Sequence, residues 1–459
     1  MNVKNKNILV LGLGISGVAT AKALNKLGAN VLISDNKSEE QLKEYMKQIK
    51  DIDIDYILGS NDVKLSNIDL IVKSPGIKNN IPIIQKAIDM NIEVITDIEI
   101  GYRLFNNKII AITGTNGKTT TTTLVGEIFN NTEQKVHVTG NIGVGLLWEL
   151  VNSAEDDIFV IETSSFQLDN TKEFKPKISA ITNITPDHID WHGNFENYVK
   201  AKKKIFKNQD EKDYTILNYD DKELRNIPDT LKSNIIWFSQ ENKLQKGIFI
   251  LDNHIVYSDG KKTIAIVNIN DIKVPGRHNI ENIMTAVAIS LASDVDLNII
   301  RKTITEFEGI EHRLEFVDDI DGTKYYNDSK GTNPVSSIKA IEALEYPIVL
   351  IAGGYDKGSD YSEFIDSFKG KVKDVILLGE TKEKISEAAL KIGFNNIYFV
   401  SNMNEAVNKS FEISKRGTNV LLSPACASWD MYESYEKRGI DFKNCVSNIR
   451  RLHNAKKGK

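Results

Sequence analysis

Ile109-Ile-Ala-Ile-Thr113-Gly114-Thr115-Asn116-Gly117-Lys118-Thr119-Thr120 runs from a β-branched apolar stretch, through two glycines, into a helical pattern. A strand, a tight turn and a helix start are predicted here. Backbone amides freed by the glycines, together with a helix N-terminus, form a cradle for phosphate. Lys118 at a helix start meets the unfavourable positive end of the helix dipole, and an anionic ligand removes that conflict. The hydroxyl of Thr119 is a hard donor suited to Mg²⁺. The segment departs from the common eight-residue phosphate loop, because Ile112 stands where that pattern has its first glycine.

Outward from this turn, short apolar runs alternate with helical patterns along nearly the whole chain. Runs lie at 7–11, 30–34, 70–73, 158–162, 178–182, 348–352, 375–378 and 420–423, and helices are predicted at 17–27 and 118–129. This alternation indicates an α/β architecture with mainly parallel sheets. Gly-rich strand-to-helix turns at Gly12, Gly114 and Gly353 open three zones, with boundaries near residues 97 and 304. Residues 211–272 carry alternating patterns and are expected to form an antiparallel appendage to the middle zone.

A chain of 459 residues exceeds one ordinary core. A net charge of −5 gives no broad nucleic-acid surface. Two cysteines, Cys426 and Cys445, supply neither a zinc site nor a disulfide framework, which fits a reducing compartment. The polar start runs into an apolar stretch too short for a signal-peptide core. No apolar stretch nears the ~20 residues of a membrane span. A cytoplasmic protein without membrane insertion is therefore expected.

The first turn, Gly12-Leu-Gly14-Ile15-Ser16-Gly17, is followed by a second strand ending at Asp35. Alone it reads as a site for a dinucleotide or nucleotide, or as a turn needed for helix–strand packing. A NAD-dependent oxidoreductase needs this loop but leaves the Gly114 loop unexplained. A simple ATPase needs only the second.

Further motifs narrow the field. Glu162-Thr-Ser-Ser-Phe166-Gln167 and Asn183-Ile-Thr-Pro-Asp187-His188 each follow a strand. Pro275-Gly-Arg-His278-Asn279, with Asn282, precedes a helix. His312-Arg313, Asn327-Asp328-Ser329-Lys330-Gly-Thr332, Gly353-Gly-Tyr-Asp-Lys357-Gly358 and Ser423-Pro-Ala-Cys-Ala-Ser428 complete the series. In this order the chain resembles the Mur ligase family. Phe166-Gln167, the Gly353 turn and the Ser423 motif look like its D-glutamate-adding branch.

The resemblance implies three domains, each on a mainly parallel sheet. They are a Rossmann-like UDP-substrate domain (1–97), a P-loop-like central ATPase domain (98–303) and a Rossmann-like C-terminal domain (304–459) that binds the amino acid and closes. It implies an ATP-dependent ligase that joins D-glutamate to UDP-N-acetylmuramoyl-L-alanine through an acyl phosphate, in bacterial peptidoglycan precursor synthesis. A related ligase using another amino acid is the alternative. The Gly12 loop would then serve UDP, not NAD, and a monomer is expected.

By the same resemblance, Gly114, Thr115, Asn116, Gly117, Lys118, Thr119 and Thr120 cradle ATP. Asn279 and Asp328 meet adenosine, while Arg313 and Lys330 reach the phosphates. Thr119 and Glu162 hold one Mg²⁺. His188 and a carbamylated Lys202 serve a second, and Lys118, Glu162, His188 and Lys202 form the catalytic set. Ile15, Ser16, Asp35, Asn36, Ser74, Gly76 and Asn141 face the UDP-sugar. Thr332, Lys357, Ser428 and Tyr435 face D-glutamate.

Overall fold

The computed structural model describes residues 1–227 and 231–457, with side chains described up to residue 454. Its strands fall into three sheets. The first contains β1 (Asn7–Leu11), β2 (Asn30–Asp35), β3 (Asp55–Leu58), β4 (Leu70–Lys73) and β5 (Glu93–Ile95), in the order 3-2-1-4-5. All its pairings are parallel. The strand order reverses between β1 and β4, and in open α/β sheets ligands bind at such a switch point, beyond the strands' carboxyl ends. The Gly12 and Ser74 turns follow these two strands.

The second sheet contains β6 (Lys108–Thr113), β7 (Val136–Gly140), β8 (Ile158–Glu162), β9 (Ile178–Ile181) and β10 (Tyr214–Asn218). It continues with β11 (Asn234–Ser239), β12 (Gly247–Leu251), β13 (His254–Ser258) and β14 (Thr263–Asn268). Its order is 14-13-12-11-10-9-6-8-7. β6 lies between β8 and β9, so the Gly114 loop, Glu162 and the Asn183 segment all emerge at the carboxyl ends of neighbouring strands. Strands β6, β8 and β9 are almost wholly buried, as expected of a parallel sheet covered on both faces.

The expected antiparallel appendage takes a different form. β10 pairs parallel with β9 and β11, and β12 is parallel to β11. Only the β12–β13 and β13–β14 pairings are antiparallel, as hairpins that extend the same sheet. Alternation in sequence records which face of a strand is buried, not the direction of its neighbour.

The third sheet contains β15 (Glu315–Ile320), β16 (Thr323–Asn327), β17 (Ile348–Ala352), β18 (Val372–Leu377), β19 (Ile397–Phe399) and β20 (Asn419–Leu422). Its order is 15-16-20-17-18-19, and only the β15–β16 pairing is antiparallel. The segments after β16, β20 and β17 therefore share one edge of three adjacent parallel strands. The long helix Tyr435–Lys457 packs its Phe442, Val446 and Ile449 into this unit's core.

The chain forms two compact units. One comprises Met1–Asp271 with Ile280–Thr305 and holds the first two sheets. The other comprises Ile272–Asn279 with Glu306–Lys459 and holds the third.

Candidate functional site

In the first unit the Gly114 loop is fixed by its neighbours. Asn183 accepts from the Thr115 amide at 2.9 Å through its backbone oxygen, and from the Asn116 amide at 2.9 Å through Oδ1. The Thr182 hydroxyl donates to the Asn116 carbonyl at 2.6 Å. A Cβ on Gly114 would stand 1.9 Å from Thr182 Oγ1, and one on Gly117 2.0 Å from Asn282 Oδ1. Gly117 also has φ +83°, a left-handed conformation that glycine adopts without strain. Both positions thus require glycine for space and for backbone shape, Gly114 having φ +155°.

Two lysines converge on this loop. Lys118 Nζ donates to the carbonyls of Gly114 and Thr115, both at 2.9 Å. Lys202 Nζ, on the helix Phe195–Lys203, donates to the same Gly114 carbonyl at 2.7 Å. Its ammonium lies 4.7 Å from the Tyr198 ring centre. Lys202 is only 2% exposed. Burial first, and the Lys118 charge second, hold its amine well below the ordinary lysine range, against the opposing pull of Asp187 and Glu162. Of the lysines on this segment, Lys202 is the buried one. Lys200 instead forms an exposed pair with Glu196 at 2.9 Å.

Glu162 ends β8 and is buried. Asn141 Nδ2 donates to its Oε1 at 2.8 Å, while Oε2 is buried without a hydrogen-bond partner. Gly140 permits this approach, since a Cβ there would lie 2.3 Å from the Glu162 carbonyl. His188 is exposed, has φ +50°, and packs its ring 4.8 Å from Phe166. Its Nε2 lies 3.5 Å from Asp187. Thr119 and Thr120 begin the helix Lys118–Asn130, with Thr120 buried. Lys118, Lys202, Glu162 and Asn141 are thereby linked through β6, β8 and the Gly114 carbonyl.

The Gly12 loop carries the second predicted cradle of this unit. A Cβ on Gly17 would lie 2.0 Å from the Gly12 carbonyl, and one on Gly12 would lie 2.8 Å from Ser74 Oγ. Ser74 Oγ donates to that carbonyl at 3.1 Å. Asp35 accepts from the amides of Leu13 at 2.7 Å and Lys37 at 2.9 Å, so its carboxylate braces the loop. Ile15 is 61% exposed, and Ser16, Asn36 and Gly76 also reach solvent.

The second unit gathers the loops after β16, β17 and β20. Asp328 is buried, accepting from Ser423 Oγ at 2.6 Å and from the Leu314 amide at 3.2 Å. Burial pushes its carboxyl up to about 7, while the Ser423 hydrogen bond and the nearby Arg313 charge oppose the shift. Lys330 Nζ lies 5.8 Å from the Tyr435 ring centre. Thr332 is half-buried and Ser428 fully buried. Lys357 is exposed, with Nζ 4.5 Å from the Trp429 ring centre. Asn279 belongs to this unit and donates its side chain to the Pro275 carbonyl at 2.7 Å.

Arg438 was not anticipated from sequence. It is buried, and burial lowers its guanidinium to about 10. It donates to Ser329 Oγ at 3.0 Å, Ser329 O at 2.8 Å, Ala427 O at 3.1 Å and Cys426 O at 3.1 Å. It thus ties the Asp328–Thr332 loop to the Ser423–Ser428 loop. Lys73 is another buried cation, closing the Ser74 turn by donating to the Ile77 carbonyl at 2.7 Å. Burial brings it to about 8. Its one sequence signal was a lysine ending an apolar strand.

The family models cover most of the chain. The Mur ligase MurD-like N-terminal domain matches residues 6–96, the Mur ligase middle domain 112–290, and the Mur ligase glutamate ligase domain 312–426.

The chain belongs to the Mur ligase family.

A UDP-N-acetylmuramoylalanine--D-glutamate ligase of Alkaliphilus oremlandii (strain OhILAs) is 49% identical over 455 residues, covering 98% of this chain and 100% of the relative. The protein of that name from Clostridioides difficile (strain 630) is 46% identical over 452 residues, with 98% and 100% covered. Among solved structures, the UDP-N-acetylmuramate-alanine ligase MurC of Thermotoga maritima has a TM-score of 0.60 at 18% identity, covering 97% of this chain and 99% of its own. The MurF ligase of Thermotoga maritima in complex with ADP has a TM-score of 0.57 at 15% identity, with 92% and 96% covered. These structures share the Mur ligase fold. Among the described residues, no helix is long and apolar enough to cross a membrane.

Proposed function

We propose that the chain is an ATP-dependent ligase that joins D-glutamate to UDP-N-acetylmuramoyl-L-alanine through an acyl phosphate, in peptidoglycan precursor synthesis. The observation that carries the phosphoryl chemistry is the convergence of Lys118 and Lys202 on the Gly114 carbonyl. Lys118 at the glycine loop suits a site that must neutralise crowded negative charge, which is the main demand of phosphoryl transfer, and the buried Lys202 beside it is placed to serve as the carbamate proposed below. The substrate identity draws on near full-length identity to D-glutamate ligases.

In this reading the Gly114–Thr120 loop holds the phosphates of ATP, and Lys118 lies against the transferred group. The alanine carboxylate attacks the γ-phosphorus, and ADP departs. The amine of D-glutamate then attacks the acyl carbon, and phosphate leaves. Asn141 fixes the Glu162 carboxylate. Ile15, Ser16, Asp35, Asn36, Ser74 and Gly76 serve the UDP end. Asn279, Arg313, Asp328 and Lys330 are the proposed nucleotide contacts outside the Gly114 loop, and Thr332, Lys357, Ser428 and Tyr435 the proposed D-glutamate contacts.

The residues fit Mg²⁺. Glu162 Oε2 is a buried carboxylate oxygen without a partner, and Thr119 supplies a hydroxyl at the helix start. Among the described residues no three His, Cys, Asp or Glu side chains cluster to hold a metal. Mg²⁺ commonly takes one or two protein oxygens and fills its remaining positions with phosphate and water. Thr119 and Glu162 would hold one ion, and His188 with a carbamylated Lys202 a second. Bound there, Mg²⁺ supplies positive charge to the phosphoryl oxygens. Carbamylation requires a neutral amine, and burial moves the Lys202 amine in that direction.

Phosphate release tests the assignment, with ATP, Mg²⁺, UDP-N-acetylmuramoyl-L-alanine and D-glutamate omitted or swapped one at a time. The expected result is release that needs both substrates and fails with L-glutamate, lysine or diaminopimelate. Equal release with one of those amino acids refutes the D-glutamate assignment.

A further inference from the structure

Trp429 directly follows the buried Ser428, yet its own side chain is 63% exposed. Its indole packs with Tyr355 at 5.7 Å between ring centres, and Lys357 Nζ lies 4.5 Å from its ring centre. The two loops that bring these residues together are joined by backbone. The Tyr355 amide donates to the Ala427 carbonyl at 3.0 Å, in an isolated antiparallel bridge.

The acidic groups around Lys357 are engaged elsewhere. Asp356 is paired with Lys384 at 3.0 Å and accepts from the Gly358 amide at 2.8 Å. Asp430 accepts from the Glu380 amide at 2.9 Å, and Glu380 accepts from the Asp356 amide at 3.2 Å. Among the described residues Lys357 makes no ion pair, although it lies one residue from an aspartate. An ammonium over an indole face is attracted by the ring's negative quadrupole without being neutralised. The arrangement limits where a flexible lysine can point, and leaves its full charge for an anion.

We propose that Trp429 is a positioning residue that holds Lys357 for a carboxylate of the amino-acid substrate. This rests on the reading of the chain as a D-glutamate ligase with Lys357 at the amino acid. Exposed aromatic surface beside a substrate loop has a use on this account. The indole orders the lysine before substrate arrives, and less rotamer freedom is then lost on binding.

The test is steady-state kinetics of the full chain as Trp429→Leu, Trp429→Phe, Lys357→Ala and the Trp429→Leu/Lys357→Ala double variant. Trp429→Leu is expected to raise the KM for D-glutamate about threefold. The KM values for ATP and the UDP-substrate should hold, and Trp429→Phe should recover most of the loss. In the Lys357→Ala background, Trp429→Leu should add nothing, which is the signature of coupled residues. A raised KM in Lys357→Ala with none in Trp429→Leu overturns this proposal alone. So does a Trp429→Leu effect spread over all three substrates with a lowered melting temperature, since that marks a structural role. An unchanged KM in Lys357→Ala, or no D-glutamate-dependent turnover in the unsubstituted chain, overturns the underlying reading together with it.

Discussion

The Gly114 loop of the first unit and the Gly353 loop of the second, proposed to hold phosphate and amino acid, are built by opposite means. Around Gly114 the amides of Thr115 and Asn116 are held by Asn183, and Lys202 is fully buried. Around Gly353 the lysine stands in water, with an indole beside it. The difference follows the chemistry. Stabilising a developing phosphoryl charge requires dipoles that do not reorganise during reaction, and burial fixes them. Holding the two carboxylates of the proposed amino acid calls for a cation not already paired with a protein acid, and Asp356 beside Lys357 is paired with Lys384 instead. The second unit still has a rigid frame, because Arg438 beneath the loops ties their carbonyls together.

The largest expected effect is at Lys202. Lys202→Ala should lower kcat roughly 10²–10³-fold, as loss of a preorganised charge does elsewhere. Short-chain carboxylates should restore part of it if the native group is a carbamate. Full activity in the variant would break the contrast at its strongest point.

Asp328 should make stability depend on pH. Its folded pKa of about 7 lies above the ordinary aspartate value of 3.8, so the native state binds more protons between these values. Its contribution is therefore fully present below about 4 and is lost as pH rises towards 7, with a slope of at most about 1.4 kcal/mol per pH unit. Urea midpoints of Asp328→Asn should lose that component of the slope, and an unaltered slope would show that the carboxyl titrates normally.

Arg438→Leu should cost about 3 kcal/mol, because it leaves buried carbonyls of both loops without donors. A smaller loss would mean that the loops hold each other without the clamp. Gly117→Ala should cost about 2 kcal/mol through its left-handed backbone and the clash with Asn282. A thermal scan unchanged by that substitution would show a looser phosphate loop than the contrast requires.

The strands nearest the proposed chemistry were legible, because runs such as Ile109-Ile-Ala-Ile and Ile158-Phe-Val-Ile are buried on both faces and read as unbroken apolar sequence. Glycine turns were legible for the same local reason. The sheet membership of residues 211–272 was not, since strand direction is decided by pairing across long separations. Arg438 was hidden among the many cations of its helix. Only the fold brings its guanidinium to three carbonyls and a hydroxyl of two distant loops. Trp429 was hidden because exposure and a lysine neighbour are properties of two loops meeting. Lys202 was singled out by resemblance, and burial now distinguishes it from Lys200 on physical grounds.

Isotope transfer tests the central claim most directly. UDP-N-acetylmuramoyl-L-alanine labelled with ¹⁸O in the alanine carboxylate would be turned over with ATP and D-glutamate, and the released phosphate analysed by mass spectrometry. An acyl phosphate passes one carboxylate oxygen to phosphate, so the account predicts phosphate carrying one ¹⁸O per amide formed. Unlabelled phosphate accompanying labelled amide would contradict it.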